Sequence, residues 1–247
     1  LTALGDFHIS SEAFLVIFLP TLLFETALAI DVRRMMNDIA PILVMAVIAV
    51  VVCMLVVGFT LASLSSYGII ACLLLGAIVA TTDPAAVVGI FREIGAPKRL
   101  TMLVEGESLL NDAAAIALFS MLAGMLMGGQ EAAWGGVIVD FAVKFVGGGL
   151  VGAAMGLGVC LLFPLLQRFT TAEITLSVAL AYLSFFVGEH YFHVSGVVAC
   201  VVAALVVGSL GRTRMSPQTH ERMEGAWGQL GFWANSLICL LAAMLVP

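Results

Sequence analysis

Apolar residues run in blocks along this chain, and each block is about as long as a bilayer is thick. Eight such blocks can be drawn, at 12–30, 40–64, 68–91, 101–127, 135–164, 171–190, 194–211 and 226–247. A helix needs roughly 20 apolar residues to cross the hydrocarbon core. The predicted fold class is therefore an all-α polytopic membrane protein of about eight spans, with residues 1–247 forming one transmembrane domain. Composition agrees: 62% of residues are hydrophobic, 11% are charged, and mean hydropathy is +1.15. Soluble domains carry about 25% charged residues. The net charge of −6, with no Lys/Arg tract, argues against a nucleic-acid partner.

Basic residues set the orientation. Nine of the ten Lys and Arg fall in loops on one side: Arg33, Arg34, Arg92, Lys98, Arg99, Arg168, Arg212, Arg214 and Arg222. That side is cytoplasmic by the positive-inside rule. Lys144 is the tenth, four residues after Asp140, which suits a local ion pair. Leu1 and Pro247 then share the outer side, and both ends read as cut, so part of a longer chain is expected.

Two blocks are interrupted where lipid would forbid it. In the third, Thr81-Thr82-Asp83-Pro84 breaks the run. Pro84 has no N–H and disfavours helix at Asp83. Backbone broken at this depth survives only inside protein or beside water, and such breaks mark transporter binding sites. Asp83 is expected to cap the half-helix that follows. In the fourth block, Glu105-Gly106-Glu107-Ser108-Leu109-Leu110-Asn111-Asp112 sets three carboxylates and an amide in an apolar run. A carboxylate at the bilayer centre costs roughly 2.5–3.5 kcal/mol on insertion scales, so it pairs, binds an ion or relays protons. Glu105, Ser108 and Asp112 share one helical face, and Glu107 and Asn111 share the next. Asp112 falls roughly 16 Å into its span, at the depth of Thr82 and Asp83.

These positions suit cation–proton chemistry. Asp112, Ser108, Thr82 and Glu25 can present hard oxygens to a monovalent cation. Burial disfavours a carboxylate's charged form and a bound cation favours it, so proton and cation compete for one site. No Walker A pattern indicates ATP use. Glu105 reads as a charge in a cytoplasmic funnel rather than a ligand.

Phe18-Leu19-Pro20-Thr21-Leu22-Leu23-Phe24-Glu25, Ala80-Thr81-Thr82-Asp83-Pro84 and the 105–112 motif, in that order, resemble the sodium/proton exchangers of the first cation:proton antiporter family. The presence of Glu105 fits the plant and bacterial, NhaP-like branch best. The resemblance covers nearly the whole chain. It implies an antiporter fold with a broken transmembrane helix and electroneutral exchange of Na+, or Li+ or K+, for H+. Asp112 would be the shared site, with Asn111, its family partner, and Asp83 counted among the six cation ligands. Ser108, Thr82 and Glu25 would complete the oxygen shell, beside Asp83. Glu107 would join a structural ion pair with an arginine on a later helix. That arginine and the family's second broken helix are expected to lie outside this chain, since members of the family have about thirteen spans. No cofactor is implied. Membrane lipid and a homodimer partner are, in a plasma or bacterial inner membrane.

Other classes are weaker. A K+/H+ exchanger of the same fold is the nearest alternative, and a channel-like or pH-sensing module another. His190, His193 and Ser195 suggest an intramembrane enzyme only faintly, because no third ligand or nucleophile motif accompanies them. Cys53, Cys72, Cys160, Cys200 and Cys239 lie singly in apolar runs and read as core packing.

Overall fold

The computed structural model describes residues 11–128, 134–166 and 169–245, and all regular structure there is helical. In chain order the helices are α1 (Ser11–Ala29), α2 (Val32–Asn37), α3 (Ile39–Leu64), α4 (Ile69–Val79), α5 (Ala85–Glu93), α6 (Lys98–Gly128), α7 (Trp134–Leu166), α8 (Thr170–Phe186), α9 (Gly196–Val206), α10 (Arg212–Arg214) and α11 (Pro217–Leu245). Four helical stretches are long and apolar enough to cross a membrane: Ile39–Leu64, Lys98–Met127, Val139–Leu166 and Thr170–Tyr191. Val16–Ala29, Ile69–Val79 and Gly196–Gly211 are shorter apolar helices. Arg168, part of the orientation argument, and residues 129–131, which follow the fourth block, lie outside the described residues.

Two apolar clusters hold the helices together, and α6 belongs to both. One gathers side chains such as Phe24, Leu28, Phe163, Leu180, Val201 and Trp227, with Leu109, Leu110 and Ala113 of α6. The other joins Val50, Met54, Leu73 and Ala77 of α3 and α4 to Ala114, Leu118 and Leu122 of α6. On α3 the buried residues are Ile42, Ala46, Val50, Met54 and Gly58, every fourth position. Val44, Ile48, Val52 and Val56 stand exposed on its other faces. A narrow packing stripe on an otherwise apolar helix is what a span with lipid on its other sides requires.

Glycine sets the closest helix approaches. An added Cβ at Gly76 would lie 2.5 Å from the Met54 carbonyl oxygen, joining α4 to α3. Gly148 would meet the Ser195 carbonyl oxygen at 2.5 Å, and Gly152 would run into that of Ala199, so α7 lies against α9 with almost no side chain between. Small residues give this contact in lipid, where no hydrophobic force draws helices together.

Several boundaries differ from the sequence expectation. The polar stretch 216–225, outside the eight blocks, is helical and continuous with the last block: α11 runs unbroken from Pro217, with Ser216 Oγ accepting from the Thr219 N–H at 3.1 Å. A serine cap followed by proline at the first helical position starts a helix there. Asp31 likewise caps α2, accepting from the Arg34 N–H at 3.4 Å, where only a loop was expected. Cys72, Cys160 and Cys200 are buried, but Cys53 is only partly buried and Cys239 is exposed on α11, so core packing does not account for Cys239. Asp140 and Lys144 form the expected ion pair at 2.8 Å.

Candidate cation site

The polar groups of the site come from a break between two helices, from the unbroken α6 and from α1. Between α4 and α5 the chain is non-helical from Thr81 to Pro84. The freed Thr82 carbonyl accepts from Ser108 Oγ at 2.7 Å, and Thr82 Oγ1 accepts from Asn111 Nδ2 at 3.1 Å. The break is thus fastened to two successive turns of α6. Pro84, not Asp83, holds the N-cap position of α5, at φ −85°, ψ −2°, and its carbonyl accepts from the Val88 N–H at 2.8 Å. The fixed φ of proline suits a helix start.

Glu25 arrives from α1, which contains Pro20. Proline has no N–H, so the carbonyl four residues back, that of Val16, loses its usual donor, and side chains from neighbouring helices gather around this turn. Tyr182 Oη donates to the Ile17 carbonyl at 2.9 Å and pairs with Thr21 Oγ1 at 2.7 Å, and Cys200 Sγ meets the Pro20 carbonyl at 3.5 Å. Five residues later Glu25 packs against Gly231 of α11, where an added Cβ would approach its carboxyl carbon to 3.1 Å. Thr26 Oγ1 stands 3.5 Å from Glu25 Oε2.

A cavity of about 630 Å³ lies between these elements. Five of the six expected ligands line it: Asp112, Ser108, Thr82, Asp83 and Glu25. Asn111 does not. It is 1% exposed and sits behind the wall, its Nδ2 also donating to Glu107 Oε1 at 3.3 Å. Its role here is to tie the break to Glu107, while its Oδ1 has no partner among the described residues. Ser108 is buried, and Asp112 and Glu25 are half-buried. The carboxylates of Asp83 and Glu107 are close enough to act on that of Asp112, so a cation beside Asp112 is attracted by all three. The cavity therefore offers clustered negative charge, two hydroxyls and a carbonyl with a spare lone pair, the set a hard monovalent cation takes.

Residues 2–247 match the transmembrane domain of the sodium/hydrogen exchangers. The chain belongs to the sodium/hydrogen exchanger family. It is 37% identical over 238 residues to the Na(+)/H(+) antiporter ApNhaP of Aphanothece halophytica, covering 95% of this chain and 45% of that protein. It is 32% identical to the Na(+)/H(+) antiporter NhaP of Pseudomonas aeruginosa, covering 95% and 56%. With sodium/hydrogen exchanger 7 of Arabidopsis thaliana the identity is 30%, covering 97% and 21%. The chain thus spans about half or less of the length of these relatives. Family membership and the apolar helices make it an integral membrane protein of a transporter family, not an enzyme.

The residues joining α8 to α9 have structural roles. Ser195 Oγ caps α9 by accepting from the Val198 N–H at 3.3 Å, and His190 stacks on Phe186 at 5.1 Å. His193 has φ 51° and turns the chain from α8 into α9, while Glu189 Oε2 accepts from the Gly196 N–H at 3.2 Å. Sequence reasoning missed Gly231 and Tyr182, whose roles exist only once α11 and α8 lie against α1. The adjacency of Thr26 to Glu25 was a usable signal.

Proposed function

We propose that this chain carries the ion-binding part of a secondary transporter that exchanges one monovalent cation, Na+ first, for one H+. Asp112 holds either the cation or the proton, and the exchange is electroneutral. The observation that carries the reading is the cavity itself: Asp112 faces the broken stretch of the α4–α5 crossing across a space edged by oxygen. Ser108, Thr82, Glu25 and Asp83 supply further oxygens, and Asn111 positions the break.

The eight apolar blocks cross the membrane as eight spans of an antiporter fold, the third of them broken, with the basic loops in the cytoplasm. Only loaded states cross, so exchange is obligatory. The movement is a displacement of the α3–α4–α6 cluster against the rest, in the manner of repeat-based transporters. A homodimer in a plasma or bacterial inner membrane is part of the proposal. Relatives named Na(+)/H(+) antiporters in two bacteria support sodium as the first substrate to test.

The test is proton flux in proteoliposomes holding the full-length protein, driven in turn by Na+, Li+ and K+ gradients. Flux with Na+, unaltered when the membrane potential is clamped, is the expected result. Flux with K+ alone makes it a K+/H+ exchanger. Current without coupled proton movement makes it a channel and ends the reading.

A further inference from the structure

Pro20 opens α1 in the middle of an apolar helix. A helix that lacks one backbone bond bends at the proline, and lipid holds no water to satisfy the freed groups. In this protein the turn is held from outside, by a hydroxyl and a thiol of two other helices. Tyr182 of α8 donates from Oη to the Ile17 carbonyl at 2.9 Å. That uses its one proton, so Thr21 Oγ1 is the donor in the 2.7 Å bond between the two hydroxyls. Cys200 of α9 donates from Sγ to the Pro20 carbonyl at 3.5 Å. Ile17 and Thr21 flank Pro20, so the two Tyr182 bonds fix the bend of α1 from both sides.

That bend governs Glu25. Thr21 and Glu25 lie four residues apart, on one face of α1. In the same turn Phe24 stacks on Trp227 of α11 at 4.5 Å, and Gly231 leaves room for the Glu25 carboxyl. Glu25 is therefore carried on α8, α9 and α11, whereas Asp112, Ser108 and Thr82 belong to α6 and the break beside it. Its place among them is set by what holds α1. Five residues of helix span about 7.5 Å, so a change of ~10° at Pro20 moves the Glu25 backbone by about 1 Å. Oxygen ligands of hard cations keep their distance to within a few tenths of an ångström. A phenylalanine at 182 would fill the same space; only the hydroxyl makes the two bonds.

We infer that Tyr182 is a positioning residue for Glu25: its hydroxyl, through Thr21 and the Ile17 carbonyl, sets the bend of α1 and with it the place of the Glu25 carboxyl in the cavity. This reading rests on the proposed exchange and adds to it a residue that touches no cation.

The test is titration of flux against Na+ with the full-length protein in proteoliposomes, arranged as a double-mutant cycle. Tyr182→Phe is expected to raise the KM for Na+ about 3- to 10-fold and to leave the maximal rate near that of the wild type. In a Glu25→Gln background the same substitution is expected to change nothing further, because no carboxylate remains to be positioned. Thr21→Val removes one of the two bonds and raises the KM less, while Thr21→Ser keeps the hydroxyl and the wild-type KM. An equal rise in both backgrounds would make Tyr182 a packing residue and overturn the inference. So would a fall in maximal rate with unchanged KM, a wild-type KM in Tyr182→Phe, or a wild-type KM in Glu25→Gln. If Tyr182→Phe does not fold, Thr21→Val goes through the same cycle with the same two outcomes. Absence of Na+-driven flux in the wild type is a separate result, and strikes the exchange reading instead.

Discussion

Asp112 and Glu173 both sit on apolar helices of this protein, and their surroundings differ. Asp112 on α6 is half-buried and opens onto a cavity of about 630 Å³ edged by Ser108 and Thr82. Glu173, in the first turn of α8, is 0% exposed and lines none of the principal cavities. The Thr219 hydroxyl stands beside it, but neither carboxylate oxygen meets hydrogen-bond geometry among the described residues. Around it Trp227 Nε1 donates to Ser177 Oγ at 2.9 Å, and Ser216 and Thr219 pair their hydroxyls at 2.9 Å. Burial alone therefore does not open an acid to a cation. What separates the two acids is access for a cation and a helix break that turns backbone oxygen toward it.

The comparison can be broken by exchanging the fates of the two carboxylates. Asp112→Asn is expected to bring cation-driven proton flux to background in proteoliposomes while the protein stays folded by thermal melting. Glu173→Gln, which removes a more deeply buried acid, is expected to keep flux near wild type. An inactive, folded Glu173→Gln variant would make the sealed acid part of the transport path.

The next effect in size concerns the break. Ser108→Ala leaves the Thr82 carbonyl without its donor, a loss of about 1–3 kcal/mol. The apparent Na+ affinity is expected to fall about tenfold, since 1.4 kcal/mol is a factor of ten. Titration of flux against Na+ checks it. An unchanged affinity would mean that the hydrogen bond from α6 does not hold the break in its binding geometry.

Away from the cavity, the α7–α9 contact should behave as packing and nothing more. Gly152→Ala places a methyl group against the Ala199 carbonyl and is expected to lower stability by about 1–3 kcal/mol. Gly158→Ala, where an added Cβ meets nothing within 4 Å, is expected to be neutral. Melting temperatures of the two variants, with KM measured alongside, separate packing from transport.

How much of this was legible in the sequence depends on the range of the interaction. Pro84 and the polar residues before it marked the break, because a missing N–H is a local fact. The i, i+3, i+7 spacing placed Ser108 and Asp112 on one face, because helical periodicity is local too. Asn111 was read as a ligand, and the structure turns it behind the wall to bind Thr82 and Glu107. Nothing in the spacing could foretell that, since it depends on where the break lies against α6. The N-cap position of α5 fell on Pro84, one residue later than the reading that put Asp83 there. Glu173 drew no notice as a residue one turn into a span, and its complete burial comes from α11 folding over it.

The smallest expected effect lies at the membrane surface. Arg99 Nε donates to Asp38 Oδ2 at 2.9 Å, and this guanidinium holds the Asp38 carboxyl below its usual value of 3.8. A lowered folded-state value gives stability that is present above pH 3.8 and is lost as pH falls below it. Because the guanidinium is exposed and screened by solvent, Asp38→Asn should remove only a slight acid-dependent drop in melting temperature and leave the neutral-pH value nearly unchanged.

The central claim is that proton and cation compete for Asp112. The most direct measurement is proton release on Na+ binding by the purified full-length protein, followed with a pH dye across a range of starting pH. The account predicts that Na+ displaces up to about one proton per cation bound, with release fading at high pH as the site empties of protons, and that Asp112→Asn releases none. Saturable Na+ binding with no proton release at any pH, or full release by the Asp112→Asn variant, would contradict it.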